Sequence, residues 1–327
     1  MERRLPPQYE GWQQHEASFR RLTTPELVAE AVRSLAARNL ITTAPGADDA
    51  FQVFEIGVDG TGLRQVTPDL GADIDNGDAV YLPNGRIAFN STAGFIGVPC
   101  EDGESYVSNL CLTDADGTNV RMLTNDQESN WYPVVLNDGR VMYTRYEYAN
   151  IGHQFGRLLF TMNPDGTEQF EYYGSQSYWP NSVFYARPVP NDSSKVVGIV
   201  CGHHGPNRTG PLVLFDPQKG RHETDGALQM IPGYGKPVQR IVEDELYASV
   251  WPKFVHPWPL SDRYFLVAGR LHPGQPQYAI YLVDVFDNVT EVCRMPDASL
   301  LEPIPLKARP RPPLIPDRTK PGVKDAS

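Results

Sequence analysis

The chain has 327 residues, with 30 prolines, 28 glycines and four cysteines, a formal net charge of −11 and a pI of about 5.1. That charge argues against a general binder of nucleic acid or anionic membranes, and the scarcity of cysteine among so many turn formers argues against a disulfide-dense miniprotein. No run approaches the roughly 18 apolar residues of a membrane-spanning helix, and the length suits one large or two ordinary domains.

Residues Met1–Pro7 lack the apolar core of a secretory signal. On that sign alone the chain is cytoplasmic or part of something longer. Thr24-Pro25-Glu26 predicts a helix start, with Thr24 as cap and Pro25 in the first turn. Leu27, Val28, Ala31, Val32 and Leu35 then share one face of a packing helix that runs to about Arg38.

From Asn39 the pattern changes to short β runs. A first, partial unit has Leu40–Thr43, Phe51–Ile56 and Leu63–Thr67, the last following an Asp59-Gly60 turn. The second unit is complete: Ala79–Leu82, a Pro83-Asn84-Gly85 turn, Arg86–Asn90, a long loop, Asn109–Thr113, an Asp116-Gly117 turn and Val120–Thr124. A third repeats it with Tyr132–Leu136, Asn137-Asp138-Gly139, Arg140–Thr144, Arg157–Thr161, Asp165-Gly166 and Gln169–Tyr173. Fourth (Ala186–Val189, Lys195–Cys201, Pro211–Asp216) and fifth (Trp251–Phe254, Arg263–Ala268, Tyr278–Asp284, Thr290–Cys293) units follow. The expected organisation is an irregular segment with a helix over 1–39, an all-β propeller over 40–300 and a Pro/Arg-rich extended tail or linker over 301–327.

The phrase Asp-Gly-Thr-x-x-Arg-x-(Val/Leu)-Thr ties these units together. It stands at Asp59–Thr67 and Asp116–Thr124 and survives as Asp165-Gly166-Thr167, the copies starting 57 and 49 residues apart, a repeat-array period. With Leu82-Pro83-Asn84-Gly85-Arg86-Ile87 it resembles the repeats of TolB-type six-bladed propellers. Further stretches (Tyr143–Tyr148, Thr161–Thr167, Ala186–Pro190, Gly202–Gly205, Pro259–Leu266 and Tyr281–Asn288) resemble, in that order, the propeller or middle domain of hydrazine synthase alpha-subunit-like proteins. The likeness covers roughly residues 50–318. It implies an exported, periplasmic, multidomain protein in which the propeller is a binding or scaffold module beside other domains or subunits, cytochrome c-type modules among them. The sequence has no Cys-x-x-Cys-His, so no covalent c-type haem attaches to this segment. About five blades are recognisable, fewer than the six the resemblance implies.

Strand order sorts the loops. Turns after the first and third strand of each unit share one face and are short; loops after the second strand and between units share the other and are long, where binding concentrates on a rigid scaffold. That second face carries Arg145, Glu147, His153, Trp131 and Trp251 as candidate ligand contacts, and Cys201, His203, His204 and His272 as candidate ligands for zinc or a similar divalent metal. Arg145 and Glu147, two apart on a strand end, point to one side and are expected to pair with each other. Trp131, Trp179 and Trp251, each next to or one residue away from a proline, are expected to wedge between units. Cys100 and Cys111 bracket one loop and bridge it if the protein is exported; otherwise both are free thiols. The alternative to a scaffold is a metal-dependent lyase or hydrolase with its site on this face.

Overall fold

A computed structural model describes residues 39–319 except 46–49, 58, 69–70, 72, 99–104, 152–153, 206–207 and 306–308. The helix expected to begin at Thr24 lies outside the described residues.

Every described element is a strand. The first sheet is β1 (Asn39–Pro45), β2 (Phe51–Gly57) and β3 (Arg64–Gln65). Four meanders of four antiparallel strands follow. They are β4 (Asn76–Tyr81), β5 (Ile87–Ser91), β6 (Asn109–Thr113) and β7 (Arg121–Met122); then β8 (Asn130–Val135), β9 (Val141–Ile151), β10 (Gln154–Met162) and β11 (Phe170–Tyr173). The last two are β12 (Ser182–Pro188), β13 (Val196–Cys201), β14 (Leu212–Phe215) and β15 (Ala227–Ile231), and β16 (Lys253–Pro259), β17 (Tyr264–Arg270), β18 (Ala279–Asp284) and β19 (Val289–Cys293). A single parallel bridge, Arg157 to Ser182, joins the second and third of these meanders, the third and fourth sheets. Strand β15 carries no signal read from the sequence: Ala227–Ile231 is half-buried along most of its length and lacks clean alternation.

The core lies between sheets, and period-2 alternation decides which gap each residue fills. On β13, Val196 and Val200 face the third sheet with Met142 and Tyr173, whereas Val197 and Ile199 face the fifth with Phe254 and Phe265. Both faces of that strand are therefore covered, which is why it reads as a continuous apolar run. Leu110 and Leu112 likewise fill the gap towards Tyr143 and Met162, and Cys111 between them turns to Val53 and Phe89. Cys111 is a buried free thiol there, its pKa pushed up to about 12 by burial; Cys100 lies outside the described residues.

Each position of the repeated phrase has a job. Asp59, Asp116 and Asp165 each accept from the backbone N–H and the hydroxyl of the threonine two residues on, at 2.7–3.0 Å, with the glycine between at positive φ. The arginine is a staple to the next sheet: Arg64 donates to the Ala115 carbonyl and Arg121 to that of Asp165. The third copy has Phe170 at this place, and Arg140 covers its ring instead. The closing threonine forms a buried latch at the far end. Thr124 donates to Asn109 and accepts from the Leu110 N–H, and Asn130 of the next sheet donates to both side chains. Thr67, Gln52, Val53 and Asn76 form the same latch one sheet earlier.

The segment 309–319 has no regular secondary structure and runs along the short-turn face. Arg309 covers the Trp258 ring, Arg311 donates to the Pro83 carbonyl, and the Arg318 N–H donates to Asp165 at 2.6 Å. Asp317 lies 3.5 Å from Arg86 and 3.7 Å from Arg121.

Candidate functional site

The first strands of successive sheets, β4, β8, β12 and β16, contact one another in sequence. Each carries one β-bulge at a corresponding place, where its register against the second strand slips by one residue. The bulged residues are Asp78, Tyr132, Tyr185 and His256, with φ of 48°, 53°, 55° and 49°. Left-handed backbone costs a residue with a Cβ about 1–2 kcal/mol, so four such outliers at matching places are held by their surroundings. A bulge re-aims a side chain.

These four residues form a connected line. Asp78 accepts from the Tyr132 N–H at 3.2 Å and from Asn90 at 2.8 Å. The rings of Tyr132 and Tyr185 lie 4.4 Å apart, and those of Tyr185 and His256 4.3 Å. Arg208 donates to the Tyr132 hydroxyl at 2.7 Å while its guanidinium lies over Trp131, Phe184 and Tyr132 at 4.8, 5.2 and 5.7 Å. Desolvation raises the Asp78 pKa to about 6 against the opposing pull of Tyr132 and Arg208, and lowers that of His256 to about 4, with Arg187 adding to the effect. Arg187, itself pushed down to about 10 by burial and by Arg309, lies 4.4 Å over the Trp258 ring.

The candidates from sequence fall around this line. Trp131 stacks on Tyr146 at 6.3 Å, and Tyr146 also holds the Arg157 guanidinium at 4.9 Å and the His203 ring at 5.6 Å. Arg145 and Glu147 stand within β9 rather than at its end, and they do not pair. Arg145 bridges to Asp126 at 2.8 Å, while Glu147 accepts from Ser175 at 2.8 Å. The reason is spacing: side chains two apart on a strand stand about 7 Å from each other, and carboxylates on neighbouring loops come closer. Trp179 is 0 % exposed and wedged between the third and fourth sheets; Trp131 and Trp251 keep accessible surface.

The histidines and Cys201 divide. His203 and His204 meet edge to face at 4.4 Å, and His204 Nδ1 lies 2.7 Å from Asp244. Cys201 is buried at the end of β13, its thiol pushed up to about 12 by burial. His272 is exposed in the β17–β18 loop, its carbonyl closing a turn with Gln275. Among the described residues no three His, Cys, Asp or Glu side chains converge as a metal site; His153 lies outside them.

Sequence reasoning passed over Asp78, Tyr132, Tyr185 and Arg208. The available signal was the small or cyclic residue after each bulge: Ala79, Pro133, Ala186 and Pro257.

No protein-family model matches the chain, and no curated protein matches it by sequence. Among solved structures it is similar to Kuenenia stuttgartiensis hydrazine synthase, at 16% identity and a TM-score of 0.65, over 86% of this chain and 40% of that one. It also matches TolB from Acinetobacter baumannii (12% identity, TM-score 0.40, 81% of this chain and 65% of that). A third match is oligogalacturonate lyase from Vibrio parahaemolyticus (18%, 0.42, 72% and 55%). The first likeness shows the fold; this chain spans two fifths of that protein's length.

Proposed function

We propose that this chain is the propeller portion of a longer, exported protein of the hydrazine synthase alpha-like kind, acting there as a binding and scaffold module. In this reading the five sheets are blades of a TolB-like propeller, and the partners are adjoining domains or subunits, cytochrome c-type modules among them, in the periplasm. The observation that carries it is the engagement of the reactive side chains on the long-loop face. Arg145 is held by Asp126, Glu147 by Ser175 and His204 by Asp244, and the Cys201 thiol is buried. Groups fixed in this way present a rigid surface to a partner. The match to two fifths of a longer polypeptide supports the modular part of the reading. The test is co-purification of the tagged chain with the proteins encoded beside it, followed by size exclusion. Co-elution with a haem-bearing partner is expected; a monomer with full turnover by itself sinks the reading.

A metal-dependent lyase or hydrolase is the second reading, favoured by the His203–His204 pair with Asp244 behind it, since a carboxylate on one ring nitrogen is how ligating histidines are commonly oriented. It expects zinc or a similar divalent metal in the purified protein, lost on replacing both histidines with alanine. Protein that neither carries metal nor takes it up on titration removes it.

A further inference from the structure

On the long-loop side of the fifth sheet lies a cavity of about 390 Å³. Its walls come from strand ends: Trp251 and Lys253 at the start of β16, Arg270 at the end of β17, Tyr278 just before β18, and Thr209 from the neighbouring sheet. Two of these residues are cations, and among the described residues no acid lines the space.

Lys253 is 4 % exposed. Its ammonium donates to the Tyr247 and Ala248 carbonyls at 2.6 and 2.8 Å, two acceptors for three N–H groups. Among the described residues no carboxylate pairs with it, and desolvation works against its charge. Arg270 donates to the Gln275 and Pro273 carbonyls and lies 6.0 Å from the Tyr278 ring, and it too has no ion pair among the described residues. Both cations lie near the Trp251 ring, at 5.8 and 5.6 Å. A buried charge without a counter-charge is costly. Lys253 is such a charge, and the half-buried Arg270 faces the same cavity, in a chain whose net charge is −11.

We propose that this cavity binds a small planar organic carboxylate. The carboxylate neutralises Lys253 and Arg270 together, and the guanidinium fork matches its two oxygens. Trp251 and Tyr278 flank the planar body. The volume, near the lower end for small-molecule sites, suits an acid of about one ring. This inference stands on the cavity alone and is independent of the scaffold reading.

The test titrates the whole chain with benzoate, using benzyl alcohol as the neutral isostere and benzylamine as the cation, read by tryptophan fluorescence and saturation-transfer NMR. Benzoate is expected to bind saturably, to weaken as salt rises, and to bind at least tenfold more tightly than either control. Arg270→Gln should weaken benzoate at least tenfold and Arg270→Lys by less, while Arg263→Gln, at an exposed turn on the opposite face, leaves binding unchanged. Circular dichroism establishes that each variant is folded; should Arg270→Gln unfold, the ranking of the three probes on the unaltered chain decides. No saturable benzoate binding, equal binding of benzyl alcohol, or a folded Arg270→Gln that binds as the parent does would each overturn the proposal.

Discussion

The two faces of this protein are built on opposite principles. On the short-turn face each Asp-Gly-Thr turn closes on itself within three residues, and contacts to other elements come from the stapling arginines and the segment 309–319. On the long-loop face the charged groups reach across loops: Arg145 finds Asp126, His204 finds Asp244 and Glu147 finds Ser175. A repeat can specify the first face by copying a phrase. The second depends on which loops the stacking of sheets brings together, so it is free to differ from sheet to sheet and to hold a site.

If the long-loop face is truly packed, its buried wedge should matter most. Trp179→Ala should cost about 3–5 kcal/mol of stability, read from chemical denaturation; a loss below about 1 kcal/mol would mean that this face is merely loops.

The turns sharpen the contrast next. Gly85 and Gly117 both have positive φ, but a Cβ at Gly85 meets nothing, whereas one at Gly117 falls 2.2 Å from the Val66 carbonyl oxygen. Gly85→Ala should cost about 1 kcal/mol and Gly117→Ala at least about 2, because the second adds a clash between sheets to the backbone strain. Equal losses would show that the turn is as local at Gly117 as at Gly85.

The bulges give a pH test of intermediate size. Asp78 has a folded pKa raised to about 6, so the folded state holds its proton more tightly and its contribution is lost as pH rises from about 4 to 6. His256, lowered to about 4, has the opposite sign: its contribution is lost as pH falls from about 6.5 to 4. The two slopes oppose each other over the shared window. Asp78→Asn should therefore make the protein more acid-sensitive between pH 6 and 4, and His256→Gln should make it gain stability on acidification, both read as melting temperature against pH. Parallel curves for the two variants would break the assignment.

The smallest effect concerns Arg145. A double-mutant cycle with Asp126→Asn should give a coupling of about 0.5–1 kcal/mol, and one with Glu147→Gln close to none. The reverse ranking would restore the pairing expected from sequence.

Much of the fold was legible because it is local. The Asp-Gly-Thr phrase, the Asn84-Gly85 and Asp138-Gly139 turns and the alternating runs placed nearly every strand, and strand order then sorted short turns from long loops. Strand β15 escaped because packing against its neighbour, rather than pattern, makes Ala227–Ile231 a strand. The site was less legible. Trp131 and His203 were picked as reactive residue types on the right face, yet what joins them is the Tyr146 ring, which no motif marks. Asp78, Tyr132, Tyr185 and His256 look unrelated as residue types, and their kinship lies in backbone geometry.

The sequence by itself determined the all-β repeat, its turns, its faces and the inter-sheet gaps, because glycine at positive φ, Asx turns and period-2 alternation act over a few residues. Only the tertiary structure decided the partners of the charged groups. It gave Arg145 to Asp126, left Lys253 and Arg270 beside Trp251 without an acid among the described residues, and threaded four bulged side chains into one line. Those choices depend on distances between loops far apart in the chain, set by how sheet stacks on sheet, and short-range chemistry has no means of encoding them.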